Sequence, residues 1–467
     1  MRKTKIICTI GPKTHSYEQL KELVKGGMNV ARMNMSHGDH EWHSQVVESV
    51  RALNEKLNTS VALMVDTKGA EVRMGDLKED LVLKKGDEMI FTERHQIKYS
   101  SHVTEVSYDG FVKDVAVGDL ILIDGGVITF RVKQKKGKDV ITKCVDGGVL
   151  TSRRHINVRG KSARLPSITD KDWKDIDFAI EHKVDFIALS FVKTASSIIA
   201  LKNYLNKKKA SISIVAKIES AESIPHLREI LEVSDGAMVA RGDLGAEMPI
   251  EEVPLLQEEI VRICRELGKP VIIATHLLES MIIHPTPPRA EVMDITEAVR
   301  EGADATMLSG ETASGNYPIK ALEVMRTVAE HIEKRLGEKN KVTDSSLTSP
   351  AEQIVLSASI IGNNIGADAI LVFTSRGFMA SLTSRMRPNS PICAFTESSI
   401  ALRKLSLYWG VMAFQIEFSK DSEETIQTAI QLLKTRKIVK KGSKVVVVSD
   451  LLVGDEVVDT VQVRTIK

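Results

Sequence analysis

Cysteine and aromatic residues are both scarce in this chain of 467 residues. The four cysteines, Cys8, Cys144, Cys264 and Cys393, are far apart and form no CxxC pair or other metal-binding spacing. Isolated thiols of this kind are typical of a protein from a reducing compartment and do not indicate a disulfide framework. Aromatic residues make up 4% of the chain, which argues against a surface on which nucleic-acid bases would stack.

The chain also lacks a strong excess of charge and a long apolar run. Its net charge of +2 gives no general attraction to nucleic acid or to a membrane surface. No apolar run approaches the roughly 20 residues of a membrane-spanning helix, and the N-terminal residues resemble neither a secretory signal nor a transit peptide. We therefore expect no nucleic acid and no membrane as partners. We expect a cytoplasmic protein, or one of the plastid stroma if the chain is a processed organellar form.

Short apolar segments alternate with helical patterns through about the first 340 residues, as in a parallel α/β fold. Eight of these segments are predicted strands, and eight βα units indicate a (β/α)8 TIM barrel rather than an open sheet. The predicted strands cover residues 4–10, 29–33, 61–65, 185–189, 213–217, 236–240, 270–274 and 303–307.

Polar residues follow seven of these eight predicted strands. The active sites of TIM barrels lie at the carboxyl ends of the strands, so these residues are expected to meet in one site. In chain order they are Arg32, Asn34 and Ser36; Asp66 and Thr67; Ser190; Lys217 and Glu219; Asp243; Thr275; and Ser309 with Glu311.

Two further domains are predicted around the barrel. The helical pattern is lost after the third strand, and short β-like runs separated by glycine turns predict a small β-barrel or sandwich over residues 70–167. A domain inserted in a barrel loop can act as a lid. The barrel itself then comprises residues 1–69 and 168–340. After a polar linker at residues 338–349, renewed βα alternation predicts a C-terminal α/β domain at residues 345–467.

Lys217 and Glu219 form the most informative local pattern. They are two residues apart at the end of a predicted strand, so their side chains emerge on the same face. Asp243 follows the next strand at the matching edge. Two carboxylates beside an ammonium suit Mg²⁺ or Mn²⁺ bound to an anionic substrate, whereas zinc prefers Cys and His. Gly242 would let the backbone approach that substrate, although an ordinary salt bridge followed by a glycine turn is the alternative.

Five motifs, in this order along the chain, resemble those of pyruvate kinases. The resemblance covers essentially the whole chain and is greatest to the plastid and cyanobacterial enzymes. It implies transfer of the phosphoryl group of phosphoenolpyruvate to ADP, which gives pyruvate and ATP, with Mg²⁺ (or Mn²⁺) and K⁺ as cofactors. It also implies a homotetramer and a regulatory C-terminal domain with a sugar-phosphate or nucleotide effector. The motifs are residues 28–38, 66–69, 217–219, 238–245 and 307–313.

The resemblance also assigns roles to individual residues. It implies that Arg32 and Lys217 contact the transferred phosphoryl group and that Glu219 and Asp243 bind the divalent metal. The residues that it places around the substrate are Gly242, Asp243, Ser190 and Thr275. It also implies that Thr275 belongs to a water relay that protonates the enolate. Its K⁺ ligands are Asn34, Ser36, Asp66 and the Thr67 carbonyl, with Glu71 as the residue that marks K⁺ dependence. Its nucleotide contacts are His37, Arg73, Lys171 and Asn34, and its effector loop is Thr374, Ser375, Arg376 and Gly377.

Several alternatives remain open at this point. His37, His40 and His43 look like a metal cluster but lie where a helix is expected to begin, with Ser36 or Asp39 as the cap. The Thr275 hydroxyl can instead be a core group bonded to the backbone, and the effector loop can be an ordinary helix cap.

Three positions depart from the usual family pattern, namely Ala70, His276 and Pro288. These departures leave the proposed metal and phosphate groups intact. For the whole chain, the competing functions are a Mg²⁺-dependent lyase that makes or consumes pyruvate enolate and a regulatory pseudoenzyme. Dependence on ADP would separate the kinase from the lyase, and any turnover would exclude the pseudoenzyme.

Overall fold

The computed structural model describes residues 2–95, 102–123, 126–159, 165–336, 347, 349–453 and 456–467. The strands in these ranges are β1 (Lys5–Ile10), β2 (Val30–Asn34), β3 (Ala62–Asp66), β4 (Leu81–Leu83), β5 (Glu88–Thr92), β6 (Val103–Glu105), β7 (Leu120–Ile123), β8 (Ile128–Lys136), β9 (Asp139–Asp146), β10 (Gly148–Leu150), β11 (Ile156–Val158), β12 (Phe186–Leu189), β13 (Ser213–Ile218), β14 (Gly236–Ala240), β15 (Val271–Ala274), β16 (Ala305–Leu308), β17 (Ala369–Phe373), β18 (Ile392–Thr396), β19 (Val411–Gln415), β20 (Lys444–Val453) and β21 (Glu456–Thr465).

The α-helices of the described ranges connect and cover these strands. None of them is both long and apolar enough to cross a membrane. They are α1 (Tyr17–Gly26), α2 (His40–Leu57), α3 (Phe111–Asp114), α4 (Asp170–Glu181), α5 (Ala195–Lys207), α6 (Leu227–Val233), α7 (Arg241–Glu247), α8 (Val253–Leu267), α9 (Arg289–Glu301), α10 (Gly310–Ala313), α11 (Pro318–Leu336), α12 (Pro350–Ile365), α13 (Phe378–Arg385), α14 (Ser399–Lys404) and α15 (Ser422–Thr435).

Eight parallel strands form a closed barrel. Their order is β1-β2-β3-β12-β13-β14-β15-β16, and β16 pairs with β1 to close the sheet. The strands are almost entirely buried, because each has the barrel interior on one side and helices on the other. The predicted TIM barrel is therefore confirmed, and each predicted strand lies within two residues of an observed one.

The segment between β3 and α4 forms two small antiparallel-rich sheets. One has the order β10-β4 and the other the order β11-β7-β8-β9-β5-β6. They share a separate hydrophobic cluster, in which Phe91 and Phe130 are fully buried. The predicted strands of this segment are present. The three-residue strands β6, β10 and β11 were not predicted, although β4, which is equally short, was.

The C-terminal segment is a five-stranded sheet flanked by helices. The strand order is β19-β18-β17-β20-β21, parallel except for β21, which pairs antiparallel with β20. Strands were predicted at residues 370–373, 392–395 and 445–448, and all three are present, whereas β19 and β21 were not predicted. Both missed strands lie at the edges of the sheet. Most of the predicted linker at residues 338–349 lies outside the described residues.

The C-terminal domain closes the amino end of the barrel. Leu407, in a short 3-10 helix (Leu405–Leu407), is fully buried in the same hydrophobic cluster as Ile7, Met64 and Met238 of the barrel strands. Next to it, the Ser406 hydroxyl bonds to Ser60, just before β3. A residue of one domain therefore completes the core of another.

Replacing Leu407 by alanine should destabilise the barrel and not only the C-terminal domain. A cavity left by a buried leucine costs about 2–5 kcal/mol. The change is measured by urea unfolding followed with a probe in each domain. Ile400→Ala on α14 is the control, because Ile400 is 39% exposed and its truncation should cost less. Equal losses in the two variants would contradict the proposed role of Leu407.

Candidate active site

A buried ion pair joins β2 and β3 at the carboxyl end of the barrel. Arg32 Nε donates to Asp66 Oδ2 at 2.7 Å, and Arg32 Nη1 donates to Thr9 Oγ1 at 2.7 Å. Both side chains of the ion pair are less than a tenth exposed. Arg32 is therefore not a surface residue but is held by two neighbours, in β1 and β3.

Lys217 joins this pair from β13. Its Nζ donates to Ser190 Oγ at 2.7 Å and lies 3.2 Å from Asp66 Oδ1 and 3.0 Å from Glu219 Oε2. Burial alone would lower the pKa of Lys217, but Asp66 and Glu219 outweigh it and raise the pKa well above its usual value. The ammonium is therefore charged at neutral pH.

Asp66 is the acidic partner of both cations. Burial would raise the pKa of its carboxyl group, but Arg32 and Lys217 have the larger combined effect and lower it. Asp66 is therefore ionised at neutral pH although it is only 1% exposed. Two cations and one anion are thus fixed in contact in a site from which water is largely excluded.

Glu219 and Asp243 bring further negative charge to the same place. Burial raises the pKa of both carboxyl groups, and the positive charge of Lys217 opposes this rise in both. The negative charge of Asp243 raises the pKa of Glu219 further, and that of Glu71 raises the pKa of Asp243 further. Glu219 Oε1 accepts a hydrogen bond of 2.5 Å from the Phe191 amide. Glu219 Oε2 is buried and has the Lys217 ammonium 3.0 Å away, but it accepts no hydrogen bond of regular geometry from the described residues.

This donor set fits a divalent cation. A buried carboxylate oxygen without a hydrogen bond, next to a second carboxylate that repels it, is the type of ligand that Mg²⁺ or Mn²⁺ binds. No group of three or more His, Cys, Asp and Glu side chains suited to a metal occurs in the described ranges. A cation here would need other oxygen ligands, such as those of a substrate or water, to complete its coordination.

A strained turn at Thr275 and His276 is hydrogen-bonded to Gly242, the neighbour of Asp243. Gly242 N donates to Thr275 Oγ1 at 2.9 Å, and that hydroxyl donates to the Ala274 carbonyl at 2.7 Å. Thr275 and His276 both have left-handed backbone, with φ of 66° and 56°. Such strain is typical of functional sites. The Thr275 hydroxyl is bonded to the backbone, as in the structural alternative, and it also lies beside the residues proposed to bind substrate.

The predicted K⁺ ligands lie together at the ends of β2 and β3. Asn34 and Asp66 are paired in the barrel register, and Asn34 Oδ1 accepts a hydrogen bond of 3.1 Å from the Ser36 amide. The Thr67 carbonyl accepts one of 2.6 Å from Ser190 Oγ. All four residues therefore occupy adjacent turns.

The residues predicted to contact the nucleotide lie in two places. Lys171 Nζ donates to the Met35 carbonyl at 2.8 Å and contacts Asp175, so it lies beside the turn that carries His37. Arg73, in the inserted segment, makes a 2.6 Å ion pair with Glu71. No contact among the described residues connects Arg73 with Lys171.

The histidine cluster is a helix start, as its structural alternative predicted. Asp39 caps α2 by accepting a hydrogen bond from the Trp42 amide. His43 Nε2 lies 2.9 Å from the His37 carbonyl oxygen, and His40 Nε2 lies 2.8 Å from Asp175 Oδ1.

The predicted effector loop lies in the C-terminal domain, between β17 and α13. Gly377 has φ of 90°, and its amide donates to Thr374 Oγ1 at 3.0 Å. Ser375 and Arg376 are exposed. This hydrogen bond is the type expected of a local turn, and the exposed residues remain accessible to a ligand.

Sequence analysis missed several residues that hold the site together. Thr9 fixes Arg32, and its only sequence signal is a hydroxyl near the end of a strand that is apolar after Lys5. Arg241 bonds to the Thr275 carbonyl and pairs with Asp294 on α9, which no local pattern indicates. Glu311, predicted among the polar strand ends, is fully buried and accepts hydrogen bonds from the Leu278 and Ser309 amides, so it braces two loops.

Comparison with known proteins identifies the family. The model of "Pyruvate kinase, barrel domain" matches residues 1–322, and that of "Pyruvate kinase, alpha/beta domain" matches residues 352–464. The chain belongs to the pyruvate kinase family. Pyruvate kinases are phosphotransferases, and the chain is an enzyme of this class, with phosphoenolpyruvate and ADP as substrates and pyruvate and ATP as products. Enzymes of the family generally need a divalent metal and K⁺.

Individual relatives agree over nearly the whole chain. Plastidial pyruvate kinase 2 of Arabidopsis thaliana is 52% identical over 96% of this chain and 78% of its own length. The chloroplastic isozyme G of Nicotiana tabacum is 51% identical over 96% and 80%, and the pyruvate kinase of Bacillus licheniformis is 41% identical over 96% and 77%. The predicted likeness to plastid enzymes is therefore confirmed, and the lyase alternative is wrong.

Replacing Glu219 by glutamine should reduce the pH dependence of stability in the metal-free protein. The raised pKa of Glu219 means that the folded state holds its proton above pH ~4.5, where the unfolded chain has released it. Stability from this group is therefore lost as pH rises above ~4.5. We expect E219Q to lose less free energy of unfolding between pH 5 and 8, by about 1 kcal/mol or more. Urea unfolding at the two pH values measures it, and an unchanged difference would contradict the prediction.

Proposed function

We propose that the buried network around Lys217 is the catalytic centre of this pyruvate kinase. The observation that carries the proposal is the set of contacts from Lys217 Nζ to Ser190, Asp66 and Glu219, which fixes a charged ammonium at the carboxyl end of the barrel. Phosphoryl transfer depends mainly on positioning and on neutralising charge on the transferred group. Arg32 and Lys217 supply two fixed cations for that purpose.

Glu219 and Asp243 would hold Mg²⁺ or Mn²⁺. The metal, when bound, supplies charge neutralisation for the phosphate and for the enolate oxygen that is formed. The chain contributes the two carboxylates. Their pKa values are raised because their buried negative charge is only partly compensated, and a bound cation would compensate it. Lys217 lies within reach of the same enolate and would stabilise its charge by hydrogen bonding.

The substrate carboxylate would lie against the first turn of α7. Backbone amides at the start of a helix have no partner within the helix. The Gly242 amide donates to the Thr275 hydroxyl, and the substrate carboxylate would take the place of that hydroxyl and also contact the Asp243 amide. Enolate formation is followed by protonation at carbon. We propose that Thr275 orients a water that delivers this proton, because a threonine hydroxyl is a weak acid by itself.

K⁺ and the nucleotide would bind on adjacent turns. Asn34, Ser36, Asp66 and the Thr67 carbonyl are oxygen donors of the type that K⁺ takes, and Glu71 adds negative charge nearby. The nucleotide phosphates would contact His37, Lys171 and Asn34 from the barrel and Arg73 from the inserted segment at residues 70–167. If that segment closed as a lid, Arg73 would have to leave its ion pair with Glu71 and contact the nucleotide phosphates instead.

The wider organisation is also a proposal. We assign catalysis to residues 1–69 and 168–340 and regulation to residues 345–467, with a sugar-phosphate or nucleotide effector at Thr374, Ser375, Arg376 and Gly377. We propose a homotetramer, as the family resemblance implies, located in the cytoplasm or, for a processed organellar form, in the plastid stroma.

Pyruvate formation from phosphoenolpyruvate should require Mg²⁺, ADP and K⁺ together. The assay compares buffers with and without ADP, and K⁺ with Na⁺. E219Q should lower kcat by about 100-fold or more, because it removes one charged ligand from the centre where charge develops. The exposed Glu55→Gln on α2 is the control and should leave kcat unchanged. A folded protein without turnover in any buffer would favour the pseudoenzyme, and full activity in Na⁺ would contradict the K⁺ site.

Thr275→Ala should slow protonation of the enolate more than phosphoryl transfer. The variant removes the hydroxyl that would orient the water, and general acid catalysis typically contributes about 10²–10⁴-fold. Exchange of pyruvate methyl protons with deuterated solvent, followed by NMR, isolates this step. Thr275→Ser keeps the hydroxyl and should restore exchange. Equal exchange in wild type and T275A would exclude Thr275 from proton delivery.

A further inference from the structure

A buried pair of polar side chains joins the inserted segment to the barrel. Asn157 lies in β11 of the inserted segment, and Glu247 is the last residue of α7. Asn157 Nδ2 donates to Glu247 Oε1 at 3.4 Å, and the two residues are only 5% and 8% exposed. Two polar groups from different parts of the chain are therefore buried against each other.

Glu247 also holds the segment that follows Glu219. Glu247 Oε2 accepts a hydrogen bond of 2.8 Å from the amide of Ala221, which begins a short 3-10 helix (Ala221–His226) two residues after Glu219. On α7, Glu247 comes one helical turn after Asp243, so the two residues share a face of the helix. One carboxylate is thus connected to the backbone of both residues proposed to bind the metal.

A cavity of about 50 Å³ lies at this junction. Its lining includes Asn157 and Glu247, with His155 from the inserted segment and Phe191 from the turn after β12. The Phe191 amide is the group that donates to Glu219 Oε1, and Phe191 has left-handed backbone with φ of 50°, which is costly for an aromatic residue. The inserted segment therefore meets the barrel at residues that hold Glu219 from two sides.

An ordinary helix cap explains only part of this arrangement. Glu247 Oε2 satisfies an amide at the start of the 3-10 helix, as a cap does. However, a carboxylate at the end of α7 faces the partial negative charge of that helix terminus. Burial, together with the negative charges of Glu219 and Asp243, raises the pKa of Glu247 to about 7. A cap needs neither this burial nor the hydrogen bond to Asn157.

We propose that Glu247 is a positioning residue that couples the inserted segment to the metal-binding carboxylates. This inference rests on the proposed metal site at Glu219 and Asp243. Through Ala221 and α7, Glu247 would fix the positions of these two carboxylates relative to each other. Through Asn157, it would make those positions depend on where the inserted segment lies. Movement of the segment would then change the affinity for the cation, although Asn157 would not touch the metal.

Titration of the metal-free protein with Mn²⁺, with free Mn²⁺ measured by EPR, tests the proposal without any turnover. Glu247→Asp keeps the charge but is one methylene too short to bond to Ala221 and Asn157 together. It should weaken Mn²⁺ binding about tenfold, as loss of a residue that supports a metal ligand typically does. Glu247→Gln keeps the length, loses the charge and should weaken binding less. Asn157→Ala changes no charge, should also weaken binding, and should add little to E247D because both break the same contact.

Glu251→Gln is the matched control, because Glu251 is exposed four residues after Glu247 and its substitution should leave Mn²⁺ affinity unchanged. Weaker binding in E247Q than in E247D would overturn the proposal, because Glu247 would then act only through its charge. Unchanged affinity in E247D and N157A, with a lower free energy of unfolding, would reduce the pair to a structural contact.

Glu219→Gln distinguishes failure of this inference from failure of the proposed metal site. If E219Q binds Mn²⁺ as tightly as the wild type, the metal site itself is wrong. If E219Q loses binding while E247D and N157A keep it, the metal site stands and the coupling through Glu247 is wrong.

Discussion

The buried ion-pair network at the carboxyl end of the barrel depends on one carboxylate, that of Asp66. It neutralises Arg32 on one side and Lys217 on the other, and its own pKa is lowered by them. Removing a partner from a buried ion pair costs about 3–5 kcal/mol, because the remaining charge is left uncompensated. Here two cations would be left without their shared partner. Asp66 therefore both positions Arg32 and Lys217, the groups proposed to bind the phosphate, and compensates their charge.

Glu219 and Asp243 are the opposite case, in which burial is only partly compensated. Lys217 is shared with Asp66, so it cannot satisfy every neighbouring carboxylate, and the pKa values of Glu219 and Asp243 are raised. A protein that keeps such a pair gives up stability in the metal-free state. The same imbalance would favour binding of a divalent cation at the proposed site, because the ion would relieve the repulsion between these two buried carboxylates.

The barrel was predictable from sequence because buried parallel strands give uninterrupted apolar runs. The polar residues that end these runs must meet at one face of a closed barrel. The contacts among them were not predictable: Arg32 reaches Thr9 and Asp66 only because of the register of β1, β2 and β3. Short strands such as β6 and edge strands such as β21 were missed because pairing, rather than local pattern, defines them.

The two ends of the barrel are linked through β3 and β12. Asp185, just before β12, binds Arg403 of the C-terminal domain and the Leu63 amide of β3 at the amino end. Five residues later, just after β12, the chain reaches Ser190, and β3 ends at Asp66; both of these residues contact Lys217. Strands in a closed barrel cannot shift singly, because each is bonded on both sides. A displacement of α14 that moved Arg403 would therefore act on the strands that carry Asp66 and Ser190.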